Sequence, residues 1–200
     1  MLGEELSGSA DTLEKADVAL GTRLAADRDK PVVKAVAWVG KVADQGPLYA
    51  IGAAFLVIGC SSRRGRLAAA GISMLAAVGM ADAGKSLTKR MVKRTRPHVL
   101  LEEGHYAAEA GGSDRKPEQS FPSGHVAGSV AAARALTRIF PEARPWPMLV
   151  AAALGVTRVL KGAHWPLDLV AGAVIGLIAE AVTSSLLGVL IRMAQPRKRR

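Results

Sequence analysis

Three short clusters of residues carry types and spacings that suit phosphoryl transfer. Lys89 is followed, after six residues, by Arg96 and Pro97, inside the basic run 89–96. Phe121, Pro122, Ser123, Gly124 and His125 form the second cluster. The third is Arg158, five residues, His164, three residues, Asp168. Each alone has an ordinary explanation. A basic run is also a solvated face or a band against lipid headgroups. Pro-Ser-Gly is most often a structural turn, and a His-x-x-x-Asp pair is common by chance. Together they supply the parts that phosphoryl transfer requires: a nucleophile, an acid for the leaving oxygen and cations around the equatorial oxygens. Pro122 suits the first turn of a helix, where Ser123 and Gly124 leave backbone N–H groups free for an anion. Asp168 falls one helical turn beyond His164, near enough to accept from one ring nitrogen and raise the basicity of the other.

These clusters lie at the boundaries of apolar segments. Residues 48–60, 67–80, 126–140, 148–160 and 167–191 read as five helices, the last interrupted by Asp168 and Glu180. If they run up and down, the loop 85–122 sits at one end of the bundle. The helix from Ser123 leaves that end and the next returns to it, so Arg158 and His164 arrive beside Ser123, Gly124 and His125. The segment 167–191 is apolar nearly all round, and Tyr49, Trp146 and Trp165 stand at segment ends where interfacial aromatics belong. Both features favour a membrane bundle over a soluble one, although only the last segment clearly reaches the roughly 20 residues a span requires. Glu180 reads either as a polar contact within the bundle or as a helix-face glutamate at the edge of a shorter span.

Residues 1–46 differ. They hold six Lys or Arg against eight Asp or Glu, and do not read as a cleavable signal peptide. Leu13, Val18, Leu20 and Leu24, then Val32, Val33, Val36 and Val39, recur at helical spacing. Two amphipathic helices are expected there, broken near Asp29 to Pro31. The expected organisation is amphipathic helices over 1–46, a membrane domain over 47–192 and a basic tail over 193–200.

The 200-residue chain has a formal charge of +10, with 27 Lys or Arg against 17 Asp or Glu. Half of it is apolar, which excludes intrinsic disorder. The single Cys60 and four histidines exclude a disulfide scaffold and a zinc finger. The charge calls for an anionic partner, phosphate or anionic lipid. Nucleic acid is disfavoured, because no recognition helix or RNA-binding motif is present.

The pattern Lys89-x6-Arg96-Pro97, Pro122-Ser123-Gly124-His125 and Arg158-x5-His164-x3-Asp168 resembles the type 2 phosphatidic acid phosphatase superfamily. The likeness covers residues from about 48 to 192. It implies an all-α, polytopic membrane bundle of about five spans preceded by interfacial amphipathic helices, where the usual membrane member has six spans. It implies that His164 is the nucleophile that becomes phosphohistidine, that Asp168 orients it and that His125 protonates the leaving oxygen. Lys89, Arg96, Ser123, Gly124 and Arg158 would hold the phosphate. It implies no cofactor and no metal, and the sequence has no dense carboxylate cluster or His-x-x-x-His pair. Thr157 stands where the family usually has Ser before the Arg of the third cluster, keeping the hydroxyl.

The implied substrate is a lipid phosphate or diphosphate: polyprenyl diphosphate, phosphatidylglycerophosphate, phosphatidic acid or similar. The alternatives are a non-catalytic membrane protein that binds anionic lipid and a soluble acid phosphatase or haloperoxidase-like member. The alanine- and arginine-rich composition points to a bacterial source, hence a cytoplasmic (inner) membrane. Arg63, Arg64, Arg66, Arg144 and the tail lie at the ends opposite the clusters, which favours an extracytoplasmic site. Oligomeric state has no signature in the sequence.

Overall fold

The computed structural model of the chain describes residues 2–194. Arg197 to Arg200 of the expected basic tail therefore lie outside the described residues. Helices α1 (Leu2–Ala25) and α2 (Pro31–Val39) come first, with the expected break between them. A 3-10 turn, Gly40–Ala43, leads into α3 (Gln45–Ser61) and α4 (Gly65–Lys89). A polar loop follows, carrying β1 (Val92–Arg94), α5 (Pro97–Glu103) and β2 (Ala108–Ala110). Then come α6 (Gly124–Ile139), α7 (Trp146–Leu160) and α8 (Pro166–Ala194).

Prolines set several of these starts. Pro31, Pro97 and Pro166 occupy first helical positions, where their missing N–H costs nothing and their fixed φ suits the helix. Gly104, at φ +67°, closes α5 in the left-handed conformation that favours glycine.

The alanine-rich α6 is the central post, packed by α3, α4, α7 and α8. Its Ala127, Ala131 and Ala135 meet Met74, Ala77, Val78 and Ala81 of α4 and Ala179 of α8. The core is made of small residues, so backbones approach closely, as in membrane bundles. At Gly172 and Gly176 of α8 a Cβ would collide with the backbone carbonyls of Ser123 and Ala127. Those two glycines let α8 lie directly on the start of α6. Lower down, Glu180 is buried and accepts from Arg138 Nε at 2.6 Å and Nη2 at 3.2 Å. It is thus a polar contact within the bundle, the first of the two readings its sequence position allowed.

The five apolar segments are all helices, but five crossings do not follow from their lengths. Among the described residues, α4 and α8 are long and apolar enough to cross a membrane. A third candidate is the pair 31–43 and 45–61, bent by 49°. Helices α6 and α7, with 16 and 15 residues, rise only roughly 24 Å against a hydrocarbon core of about 30 Å. The aromatic signal also needs correction. Trp165 is fully buried rather than interfacial, and Tyr49 packs against the core; Trp146 is exposed.

Helix α1 docks on the bundle by its small and acidic stripe and leaves its leucines outward. Leu13, Leu20 and Leu24 are exposed, while Asp17, Gly21 and Ala25 are buried. The stripe that docks on α5, α7 and α8 is small and acidic, and the apolar stripe faces outward. Helix α2 repeats this, with Val32, Val36 and Trp38 exposed and Ala37 buried.

Candidate active site

All eight residues singled out by spacing lie at one end of the bundle. Lys89 ends α4 and Arg96 stands just before α5. Ser123 is the N-cap of α6, so Gly124 and His125 open that helix with free N–H groups. Arg158 occupies the last turn of α7, His164 the loop after it, and Asp168 the first turn of α8. Lys89, Arg96, Gly124, His125, Arg158 and His164 line one pocket of about 440 Å³. Ser123, next in the chain to Gly124, and Asp168 do not line it; both are fully buried.

The His164 ring is fixed differently from the sequence expectation. Its Nδ1 lies 2.7 Å from the carbonyl oxygen of Ser120, and 3.6 Å from the Asp168 carboxylate. A carbonyl only accepts, so Nδ1 carries the proton and Nε2 holds the lone pair. Asp168 therefore acts at one remove. It accepts from the Ser120 hydroxyl and from the Trp165 N–H at 2.8 Å, which fixes the strand of chain that carries the imidazole. The second histidine faces it, with ring centroids 6.4 Å apart. Burial pushes the His164 imidazole below its ordinary value; the Asp168 carboxylate opposes this, and Arg96 and Lys89 add to it. A neutral nucleophile is what that environment favours.

Several donors are left without partners. Arg96 Nε, Ser123 Oγ and Arg158 Nε are buried and make no hydrogen bond among the described residues. Buried polar groups are normally satisfied, so three orphans around one pocket call for an acceptor that belongs there. The remaining donors are partly committed. Lys89 Nζ donates to the Gln119 carbonyl at 2.7 Å, and Arg158 Nη2 to that of Gly40. Thr157 keeps the family's hydroxyl but turns it to its own helix, 2.7 Å from the Leu154 carbonyl. No group of three or more His, Cys, Asp or Glu is placed to hold a metal ion among the described residues.

Sequence reasoning missed a supporting layer. Arg94, in β1, is 3% exposed and donates to Asp168 Oδ1 at 2.7 Å, Asp17 Oδ2 at 2.6 Å and Glu14 Oε1 at 3.0 Å. Burial works against its charge, but those three carboxylates more than offset it and hold the guanidinium above its ordinary value. Asp17 also accepts from the Leu167 N–H at 2.9 Å, tying α1 to the start of α8. The acidic and small stripe Glu14, Asp17, Gly21 was the readable signal. Asp44, before α3, was missed too. Its carboxylate pairs with His125 Nε2 and lies 3.7 Å from Arg158 Nη2, so an anion already stands among the pocket's cations.

A helical bundle that gathers three cations, a helix N-terminus and two facing histidines at one end has the groups to hold a phosphate and bring an imidazole to it. The chain belongs to the PAP2 superfamily, whose family model matches residues 70–192. It is 34% identical over 112 residues to a lipid A 1-phosphatase of Rhizobium johnstonii, covering 54% of this chain and 46% of that protein. It is 31% identical over 102 residues to a decaprenylphosphoryl-5-phosphoribose phosphatase of Mycobacterium tuberculosis, covering 51% and 52%. The chain thus matches about half the length of these relatives. Among solved structures it resembles the first transmembrane PAP2 type phosphatidylglycerolphosphate phosphatase from Bacillus subtilis. The TM-score is 0.55 at 20% identity, covering 94% of this chain and 90% of that one.

Proposed function

We propose that this chain is an integral membrane lipid phosphatase that works through a phosphohistidine. The observation that carries the proposal is the set of orphaned donors, Arg96 Nε, Ser123 Oγ and Arg158 Nε, around a pocket that His164 lines. An incoming phosphate supplies the acceptors these groups lack and displaces the Asp44 carboxylate from His125 and Arg158. Lys89, Arg96, Arg158, the Ser123 hydroxyl and the Gly124 N–H then hold its oxygens as charge spreads over them. His164 Nε2 attacks phosphorus. The bond from phosphorus to the lipid oxygen breaks, and His125 gives that oxygen its proton. In the second half, water attacks the phosphohistidine, His125 takes a proton from it, and phosphate leaves with His164 restored. Asp168 orients His164 through Ser120 and the chain around Trp165.

A lipid phosphate is the substrate class that the relatives' names support. The outward-facing leucines of α1 and the exposed Val32, Val36 and Trp38 of α2 suit helices lying in the membrane interface. We read residues 1–46 as such helices, with the phosphatase domain over 47–192 and its site on the extracytoplasmic side. Arg63, Arg64, Arg66 and Arg144 at the opposite end favour that orientation. Labelling Arg115→Cys, in a Cys60→Ser background, with an impermeant maleimide on intact cells tests it; protection from the reagent contradicts it.

The activity is tested by phosphate release in EDTA from a panel of lipid phosphates and diphosphates. Wild type and His164→Ala are compared in detergent. Release by wild type alone is expected; no release from any lipid by folded protein rejects the proposal.

A further inference from the structure

A second cavity, of about 500 Å³, adjoins the catalytic pocket, and Lys41, Arg96 and Lys161 line both. We infer that this cavity holds a second anionic group of the substrate, a phosphate that stays on the lipid when the terminal one is cleaved. The inference rests on the lipid phosphatase reading above and specifies its substrate.

Charge bookkeeping around the cavity singles out two residues. Arg28 is answered by Glu102 at 3.3 Å, and Lys34 by Asp29 at 3.2 Å. Lys41 and Lys161 are exposed, and neither has an ion pair or a side-chain hydrogen bond among the described residues. Both stand on the rim between the two cavities. Arg96 stands there too, with its buried Nε unpartnered. Three cations between two adjoining hollows suit two anions close together better than one.

The order of the cavities fits a lipid. Trp38, 69% exposed, and Ala37 of α2 line the second cavity, and the same helix turns Val32 and Val36 outward. The second cavity is therefore on the side of the apolar α2 face. A lipid whose tail lies along that face presents its inner phosphodiester to Lys41 and Lys161. Its outer phosphomonoester then reaches His164. Exposed ammonium groups hold a phosphate by charge-assisted hydrogen bonds that are screened but not abolished by water.

The experiment uses the full chain in a nonionic detergent. Two substrates with the same acyl chains are compared: phosphatidylglycerophosphate, with two phosphates, and phosphatidic acid, with one. Wild type should favour the first by about tenfold or more in kcat/KM, chiefly through KM. Lys41→Gln with Lys161→Gln should bring that ratio to within about threefold. Both lysines are exposed, and an unchanged melting temperature confirms that the variant is folded. A second arm adds inorganic phosphate or phosphatidylglycerol to the phosphatidic acid assay. Neither should raise its turnover, because the second anion belongs to the substrate molecule. The inference is overturned if wild type shows no preference, if the ratio survives in the double variant, or if both substrates lose equally. Stimulation by the free anion or by phosphatidylglycerol also overturns it, by making the cavity a site for a separate anion. If folded wild type cleaves another lipid phosphate of the panel but neither of these two, this inference alone is overturned; if it cleaves none of the panel, the phosphatase reading itself fails and this inference falls with it.

Discussion

Replacing Arg94 by Met tests the layer beneath the site. Arg94 is 3% exposed, and its guanidinium answers Asp168, which is fully buried, and Asp17, which is 5% exposed. With the cation gone, two buried carboxylates face each other with no counter-charge between them. Removing one partner of a buried ionic group costs about 3–5 kcal/mol, because the other is left charged and dry. For a chain of this size each kcal/mol lowers the melting temperature by about 2–4 °C, so a fall of about 10 °C is expected. Differential scanning fluorimetry in detergent measures it. Asp17→Asn should cost less, since Arg94 keeps Asp168, and the double variant should cost clearly less than the sum of the two. Turnover should fall with little change in KM, because Arg94 touches no phosphate and acts through Asp168. A melting temperature within 2 °C of wild type, or strictly additive costs, would refute the reasoning.

Three further outcomes follow from the site. Burial holds His164 below its ordinary value of 6.5, so the unfolded chain binds a proton more readily than the folded one as pH falls through that value. Stability should therefore decline on acidification below about pH 6.5, and His164→Gln should lessen that decline without abolishing it, because burial also holds the His125 imidazole low, at about 4; a wild-type melting curve indifferent to pH from 7 to 5 contradicts it. Asp44→Asn removes an anion that competes with phosphate for His125 and Arg158, so inhibition by inorganic phosphate should tighten about fivefold; an unchanged or weaker Ki counts against the competition. Gly172→Ala drives a Cβ into the Ser123 carbonyl, and overpacking of this kind costs about 1–3 kcal/mol; both melting temperature and turnover should drop, and retention of both would mean that α8 can shift without disturbing the N-terminus of α6.

How far the sequence reaches depends on the distance over which residues act. The clusters around Lys89, His125 and His164 were readable because phosphoryl transfer asks for particular groups and short spacings supply them. The convergence at one end was readable too, because antiparallel helices with short loops leave few choices. Contacts between remote residues were not. Asp17 and Arg94 are 77 positions apart and meet only when α1 docks. The helical spacing of the α1 leucines was legible, but which partner its acidic and small stripe would meet was not. The strands β1 and β2 have three residues each, too few for an alternating pattern to declare itself. Trp165 fits either an interface or a core by type; its Nε1 finds the Thr95 carbonyl at 2.7 Å, and that buried bond decides it. Asp168 lies at the spacing that would let it bond His164, yet the Ser120 carbonyl reaches Nδ1 first. Five crossings are read from apolar character; helix length among the described residues supports two, or three if the bent pair is one span.

The central claim is that His164 carries the phosphoryl group. Rapid mixing with a lipid substrate labelled with phosphorus-32 at its terminal phosphate, followed by an alkaline quench, tests this most directly. A phosphoramidate of histidine survives base and is lost in acid. The account predicts base-stable, acid-labile label on wild type, formed within one turnover, and none on His164→Ala, which also releases no phosphate. Label that persists on His164→Ala, or turnover by that variant at a rate near wild type, would contradict it.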